Sequence, residues 1–248
     1  MMMGFSKIFV PPRYRFLKKG FPEGKFQLLD VGCGHLSFET VRHFFPGATY
    51  HGVDKRLQGE LGQYEKMDKF FNVDLETDSF ESIPDAAYDA VIFSHTIEHI
   101  FRGHEVLKKL IRKLKNGGYI YLEFPSIRSL FLPSADGTLN FFDDPTHVRF
   151  YDMKELVNTL LEADVRILRL GKARNPWKAT VVTPVAILHN AYYLLRHGKL
   201  SAKGMLEVTG FADYILGVKH SIPHDVRRGS WRETAEVIDS SPSTTAGT

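Results

Sequence analysis

Apolar positions along the chain follow two alternating rhythms. Compact apolar runs at FQLLDV (26–31), ATYHGVD (48–54), KFFNVD (69–74), YDAVIFS (88–94) and YIYLEFP (119–125) are separated by stretches where apolar residues recur every three or four positions. A near-continuous apolar run is expected of a strand buried on both faces. Helical spacing between such runs predicts βαβ units and a mostly parallel sheet. The clearest helix covers 104–115, with Val106, Leu107, Leu110, Ile111 and Leu114 on one stripe and Asn116-Gly117-Gly118 as its stop. An earlier helix carries Phe38, Val41, Phe44 and Phe45 and stops at Pro46-Gly47. Asp152 with Glu155 predicts a capping box opening a helix whose stripe is Met153, Leu156, Val157, Leu160 and Leu161. VRILRLG (165–171) and ADYILGVK (212–219) are the last two expected strands. Between them, an insertion over about 173–210 holds a helix expected at 184–197, opened by Thr183-Pro184 and closed by His197-Gly198. A lid, a pocket wall and a dimer surface all suit it.

Composition narrows the class. The 248 residues, 43% of them hydrophobic, suffice for one α/β domain with a sizeable core. No repeat of fixed period is present, and every apolar stretch is shorter than the ~20 residues that span a bilayer. Lys7 and two prolines interrupt the N-terminal stretch where a secretion signal needs an apolar run, so a cytoplasmic location is expected. The single cysteine, Cys33, excludes an internal disulfide. The net charge of +3 is uneven: residues 1–25 carry +5 and the remainder −2. That basic arm is interleaved with Phe5, Phe9, Tyr14, Phe16 and Phe21. Its aromatics are expected to pack on the domain; the competing reading is contact with a phosphate-bearing substrate or an anionic membrane surface. The remaining chain has no basic stripe, which argues against nucleic acid as substrate. The expected organisation is an arm at 1–25, one domain at 26–222, and an extension at 223–248 ending in a disordered tail.

Candidate chemistry gathers at the strand ends. In an open parallel sheet, ligands bind beyond the carboxyl ends of the strands. Four such ends line one edge: Asp30 to Gly34, Asp54, Asp74, and Ser94-His95. Gly32 and Gly34 let the backbone turn sharply and approach a ligand, with the small Cys33 between them. If the ligand is an adenosyl compound, Asp54 can accept hydrogen bonds from both ribose hydroxyls. Asp74 can take the adenine amino group, with the backbone of Leu75 beside it.

The ordered segments LLDVGCGHLSF, YHGVD, NVDLE, YDAVIFSHTIEHI and LKNGGYIYLEFPS resemble the consecutive motifs of class I S-adenosylmethionine-dependent methyltransferases, closely over about 26–125 and more loosely beyond. The resemblance implies a Rossmann-like fold with a seven-stranded, mostly parallel sheet, an antiparallel last strand and helices on both faces. It also implies S-adenosylmethionine as cofactor. The D-x-G-x-G segment, Asp30 to Gly34, would hold the methionine part, Asp54 the ribose and Asp74 the adenine, with His35, Lys55, Leu75, Ser94 and His95 lining the site. One departure is Leu36, where many members carry a third glycine, so His35-Leu36 must shape the loop differently. A nicotinamide or flavin enzyme is the weaker reading, because Ser37 stands where G-x-G-x-x-G needs glycine. His95-Thr-Ile-Glu-His99 matches H-x-x-E-H but follows directly on a strand, so no metal is expected. A non-catalytic, methyltransferase-like binding subunit stays open as an alternative.

For the acceptor, NFFDDPTHVRFYD (140–152) is the densest segment. Its D-P-T-H-V-R core is similar to methyltransferases of bacterial polysaccharide and glycan-modifying clusters, which implies a small-molecule or glycan acceptor and O-methylation. His147 is the candidate general base, Asp143 or Asp144 its orienting partner, and Arg149 a holder of an anionic substrate group. The alternative is that His147 and Arg149 merely tie the loop to the following helix. Oligomeric state is left open.

Overall fold

The computed structural model describes residues 11–34, 37–55, 64–173, 176–205 and 209–220. His35, Leu36, the first part of the basic arm and the C-terminal extension lie outside the described residues. The main sheet comprises β1 (Gln27–Val31), β2 (Thr49–Asp54), β3 (Lys69–Asn72), β4 (Tyr88–Ser94), β5 (Leu114–Pro125), β7 (Val165–Lys172) and β9 (Ala212–Lys219). Their order across the sheet is β3-β2-β1-β4-β5-β9-β7. β9 runs antiparallel to both β5 and β7, and the other pairings are parallel. The strand order reverses at β1 and β4, so the edge above these two strands is the crevice in which such sheets bind ligands.

Alternation within each strand feeds two cores. Leu29, Val31, Val91, Phe93, Ile120 and Leu122 face α3 (Gly103–Lys113) and α4 (Met153–Glu162). Leu28, Ala90, Ile92 and Tyr121 face the opposite side, with α1 (Pro12–Gly20) and α2 (Ser37–Phe44). Val106, Leu107, Leu110 and Ile111 of α3 are buried, each contributing about 1.5–3 kcal/mol against exposure. Part of the basic arm is built into the second core: Tyr14 and Leu17 are fully buried, Phe16 stacks on Tyr121 and Phe21 on Phe26.

Several boundaries differ from the sequence expectation. α3 stops at Lys113, because Leu114 already adopts extended backbone and begins β5. Asn116-Gly117-Gly118 therefore forms a bulge in β5 rather than a helix cap, where a side chain at Gly118 would collide with the carbonyls of Lys115 and Tyr88. Asp152 caps α4 by accepting from the Lys154 amide, but Glu155 turns to Arg149 and His104 instead of closing a capping box. The insertion helix α5 spans Pro176–His197 and runs through Pro184 instead of starting there. It packs on a two-stranded ribbon of β6 (Ala135–Asp136) and β8 (Leu200–Ser201), where the Asn190 side chain accepts from the Ser201 amide. Among the described residues no helix is long and apolar enough to cross a membrane.

Candidate functional site

β1 ends in the turn Gly32-Cys33-Gly34. Gly32 has φ +68° and its amide donates to the Val53 carbonyl at 2.8 Å. A side chain there would overlap Thr96, with its Cβ 2.0 Å from Thr96 Oγ1. Gly34 also has positive φ, but no described residue beyond its chain neighbours lies within 4 Å of where its Cβ would be. The turn thus presents a hard floor at Gly32 and an open cradle at Gly34. Cys33 is buried, and burial pushes its thiol above the ordinary range, so it is a packing residue rather than a nucleophile.

Two carboxylates stand beside this cradle. Asp54, at the end of β2, accepts from the Gly34 amide at 2.8 Å through Oδ2 and from the Lys55 amide at 2.8 Å through Oδ1. Asp74 lies two residues beyond β3, shorter than the strand read from KFFNVD. Its Oδ2 pairs with Lys55 Nζ at 2.7 Å and its Oδ1 accepts from the Glu76 amide. The Lys55 ammonium, with that amide, holds Asp74 below the usual carboxylate range. Lys55 therefore bridges both acids, and Leu75 packs against the core beside them. Asp30 is different: it is 3% exposed, and its Oδ2 accepts from the hydroxyls of Ser37 and Tyr50. Burial pushes its pKa up, so Asp30 is the buried base of the turn, beneath the cradle that Asp54 borders.

At the tip of β4, His95 is held in the left-handed region at φ +50°. Its Nδ1 lies 3.3 Å from Glu98 Oε1, its Nε2 3.1 Å from Glu123 Oε1, and its amide donates to the Glu123 carbonyl. Burial works against its charge, but the two carboxylates outweigh that and push its pKa up to about 10. His95 thus carries charge at neutral pH and is not a free base. Ile97–His99 form one tight 3-10 turn, so His95 and His99 do not share the helix face an H-x-x-E-H metal motif requires.

The 140–152 segment folds back onto this turn. The amides of Val148 and Arg149 donate to the Glu98 carbonyl, and Tyr151 Oη donates to the Ile100 carbonyl while accepting from the Gly103 amide. His147 and His99 come together, ring centroids 4.9 Å apart. His147 Nδ1 lies 2.6 Å from the Phe141 carbonyl, and its Nε2 is 3.9 Å from Asp144 Oδ2. Asp143 is committed elsewhere: Ser134, Ala135, Leu139 and Asn140 all donate to its carboxylate, knotting its own loop. Arg149 pairs with Glu155 at 2.6 Å, donates to the Phe101 carbonyl and covers the Tyr151 ring. That geometry ties the loop to α4 and leaves Arg149 little to offer a substrate anion.

Two participants, Glu123 and Arg13, were not singled out from the sequence, and Glu98 entered only within the H-x-x-E-H match. Glu98 and Glu123 face His95, and Arg13 of α1 is electrostatically coupled to Asp30 and Glu123. Arg13 Nε, Ser94 Oγ and Glu98 Oε2 are buried polar atoms without a hydrogen-bond partner among the described residues. Buried polar atoms are normally paired, so unspent ones mark where a ligand supplies the partner. The only sequence hint was their nearness to strand ends. A half-open concavity of about 300 Å³ among the described residues is lined instead by Ser79, Glu81, Lys109 and Asp85, and its Asp85 already pairs with Arg112 and Lys113.

A family model described as a methyltransferase domain matches residues 10–170. No curated protein matches the sequence. Among solved structures, a SAM dependent methyltransferase from Archaeoglobus fulgidus is 23% identical at a TM-score of 0.54, covering 82% of this chain and 91% of that one. An S-adenosylmethionine dependent methyltransferase from Mesorhizobium loti is 13% identical at a TM-score of 0.59, covering 83% and 97%. The Haemonchus contortus phosphoethanolamine N-methyltransferase 2 in complex with S-adenosyl-L-methionine is 16% identical at 0.57, covering 84% of this chain and 52% of that one.

Proposed function

Because the chain belongs to the methyltransferase-domain family, we propose that it transfers a methyl group from S-adenosylmethionine to a hydroxyl of a small-molecule or glycan acceptor. The family gives the enzyme class and the cofactor; the hydroxyl acceptor and the roles of individual residues are the proposed part. The cofactor supplies an electrophilic methyl on a sulfonium. The residues present fit it: the cradle above Gly34 is open and Asp54 stands at its border. Asp54 takes the ribose hydroxyls and Asp74 the adenine edge, with Lys55 fixing the spacing between them. Asp30 and Arg13 supply opposite charges suited to the amino and carboxylate ends of the methionine part. Ser94 Oγ offers an unspent hydrogen bond at the same edge.

The observation that carries the hydroxyl reading is the imidazole of His147. A nitrogen 2.6 Å from a carbonyl oxygen must be the N–H, so Nδ1 donates to Phe141 and, in the neutral ring, Nε2 is the nitrogen with the lone pair. That lone pair can accept a hydroxyl proton, and an amine acceptor has less need of it. Exposed Phe101, Phe131 and Phe142 offer apolar surface to an acceptor ring. The D-P-T-H-V-R similarity favours a glycan. The test is incubation with labelled cofactor and a panel of sugars, glycans, phenols and amines, with products analysed by mass spectrometry. An O-methylated product, lost in a His147→Ala protein that still binds the cofactor, is expected. Products confined to amines, or full turnover by that variant, would overturn the reading.

A further inference from the structure

On the acceptor side of the proposed methyl-transfer site, and sharing His147 with it, one side-chain cluster is built as though for a cation. Glu98, His99 and His147 each bring a ligand atom within 4.8 Å of the others. Glu98 is 2% exposed; its Oε1 contacts His95, and its Oε2 is buried with no hydrogen-bond partner among the described residues. A buried carboxylate oxygen without a hydrogen bond carries an uncompensated desolvation penalty, which a bound cation would relieve.

The two imidazoles are set up in the same sense. His99 Nδ1 lies 3.1 Å from the Thr146 carbonyl and 2.9 Å from Thr146 Oγ1. The Thr146 hydroxyl donates to Asp144 Oδ1 at 2.5 Å, so toward His99 its oxygen accepts. His99 Nδ1 is therefore the protonated nitrogen, as His147 Nδ1 is toward Phe141. Both rings give their Nδ1–H to backbone carbonyls, so in the neutral tautomer Nε2 is the nitrogen open to a metal, the arrangement by which outer-shell partners fix a metal-binding tautomer. His147 is nearly enclosed, its side chain 5% exposed, and Asp144 Oδ2 lies 3.9 Å from its Nε2 as a further anionic neighbour.

We propose that Glu98, His99 and His147 form a site for a divalent transition metal, zinc first among candidates. Two imidazoles and one carboxylate suit such ions, and three protein ligands leave positions open, as in catalytic rather than structural sites. Closing the cluster from 4.8 Å to about 3.4 Å brings the donors to the separations that ~2.1 Å tetrahedral bonds require. A metal here departs from the expectation drawn from the H-x-x-E-H match, that no metal binds, and it involves a different pair of histidines. His95 is engaged with Glu123, and the second imidazole arrives from residue 147, 48 positions after His99. The use of the site rests on the hydroxyl reading above: a cation there would hold the acceptor oxygen and ease loss of its proton, with His147 then a ligand rather than the free base.

The test uses the full chain, stripped with a chelator and titrated with zinc and then manganese(II) by calorimetry. One equivalent should bind, with affinity lowered about 100-fold or more in Glu98→Gln and in His147→Ala, since outer-shell losses alone cost 10–100-fold. Should those variants fail to fold, histidine-ring NMR of the wild-type protein decides. Of the eleven histidines, His99 and His147 should shift on zinc addition, with the signature of ligation through Nε2. No stoichiometric binding, undiminished affinity in the variants, or ring shifts confined to other histidines would overturn the site. Metal bound in this way with only amines methylated would leave the site standing and remove the hydroxyl reading. An O-methylated product from a protein that binds no metal would do the reverse.

Discussion

The glycine turn makes a sharp prediction, because its two glycines are needed for different reasons. In Gly32→Ala the new Cβ would lie 2.0 Å from Thr96 Oγ1, 2.5 Å from its Cγ2 and 2.8 Å from its Cβ, on a backbone at φ +68°. The left-handed backbone costs an L-residue about 1–2 kcal/mol, and forced repacking of a filled site adds about 1–3 kcal/mol. In Gly34→Ala only the backbone cost applies, since the space is open. For a chain of this size 1 kcal/mol is worth about 2–4 °C in melting temperature. Thermal unfolding should therefore place Gly32→Ala about 5–15 °C below wild type and Gly34→Ala only a few degrees below. Calorimetric titration with S-adenosylmethionine should reverse the ranking of interest: Gly34→Ala keeps its fold and loses affinity, because its methyl projects into the cradle. Adding Thr96→Ala to Gly32→Ala should recover part of the lost stability, giving a coupling of about 1 kcal/mol or more between neighbours in contact. Equal destabilisation by the two single changes, or strict additivity in the double variant, would refute the division between floor and cradle.

Asp54→Asn should weaken cofactor binding about 10–100-fold, as expected for hydrogen bonds to a charged acceptor, with a drop of a few degrees in melting temperature because the new NH2 group cannot accept, so the Gly34 and Lys55 amides no longer both have an acceptor; unaltered affinity by calorimetry would remove Asp54 from the ribose site. Asp30→Asn should melt higher than wild type at pH 7 yet bind cofactor less well. Burial raises the folded-state pKa of Asp30 above its unfolded value, so the wild type loses stability as pH rises through that window and the variant does not; the gap should close toward pH 4. Tyr151→Phe strips the Gly103 amide of its acceptor and frees the Ile100 carbonyl, for a loss of about 1–3 kcal/mol in chemical denaturation. Lys113→Met leaves the Phe80 and Ile83 carbonyls without their buried donor, at about 2–4 kcal/mol. Because Lys113 also holds Asp85 below the ordinary carboxylate range, stability present above pH 4 is lost as pH falls through the folded value, and the variant's acid limb should be flatter.

How far the sequence reached depends on the range over which each contact acts. The strands were readable because burial on both faces leaves no polar alternation in FQLLDV or DAVIFS, and Asp54 follows because the chain must turn where β2 ends. Pro184 misled because an interior proline costs about 3 kcal/mol, so it was read as a helix start, yet α5 passes through it. The NGG bulge misled likewise: the same Gly117 at φ +80° serves a helix end or a strand irregularity, and only the pairing of Tyr88 with Leu114 separates them. α1 hid because its aromatics, Phe16 and Tyr14, show no partner until β5 and α2 are placed beside them. The Glu98, His99 and His147 cluster is the extreme case. No periodicity links positions 98 and 147; they meet because Tyr151, Val148 and Arg149 pin the loop to Glu98, Ile100, Phe101 and Gly103. Those are backbone-directed bonds, which any sequence of similar polarity could equally direct to solvent. Side chains with chemistry were visible in the sequence, but their convergence was a property of the carbonyls and amides that hold them.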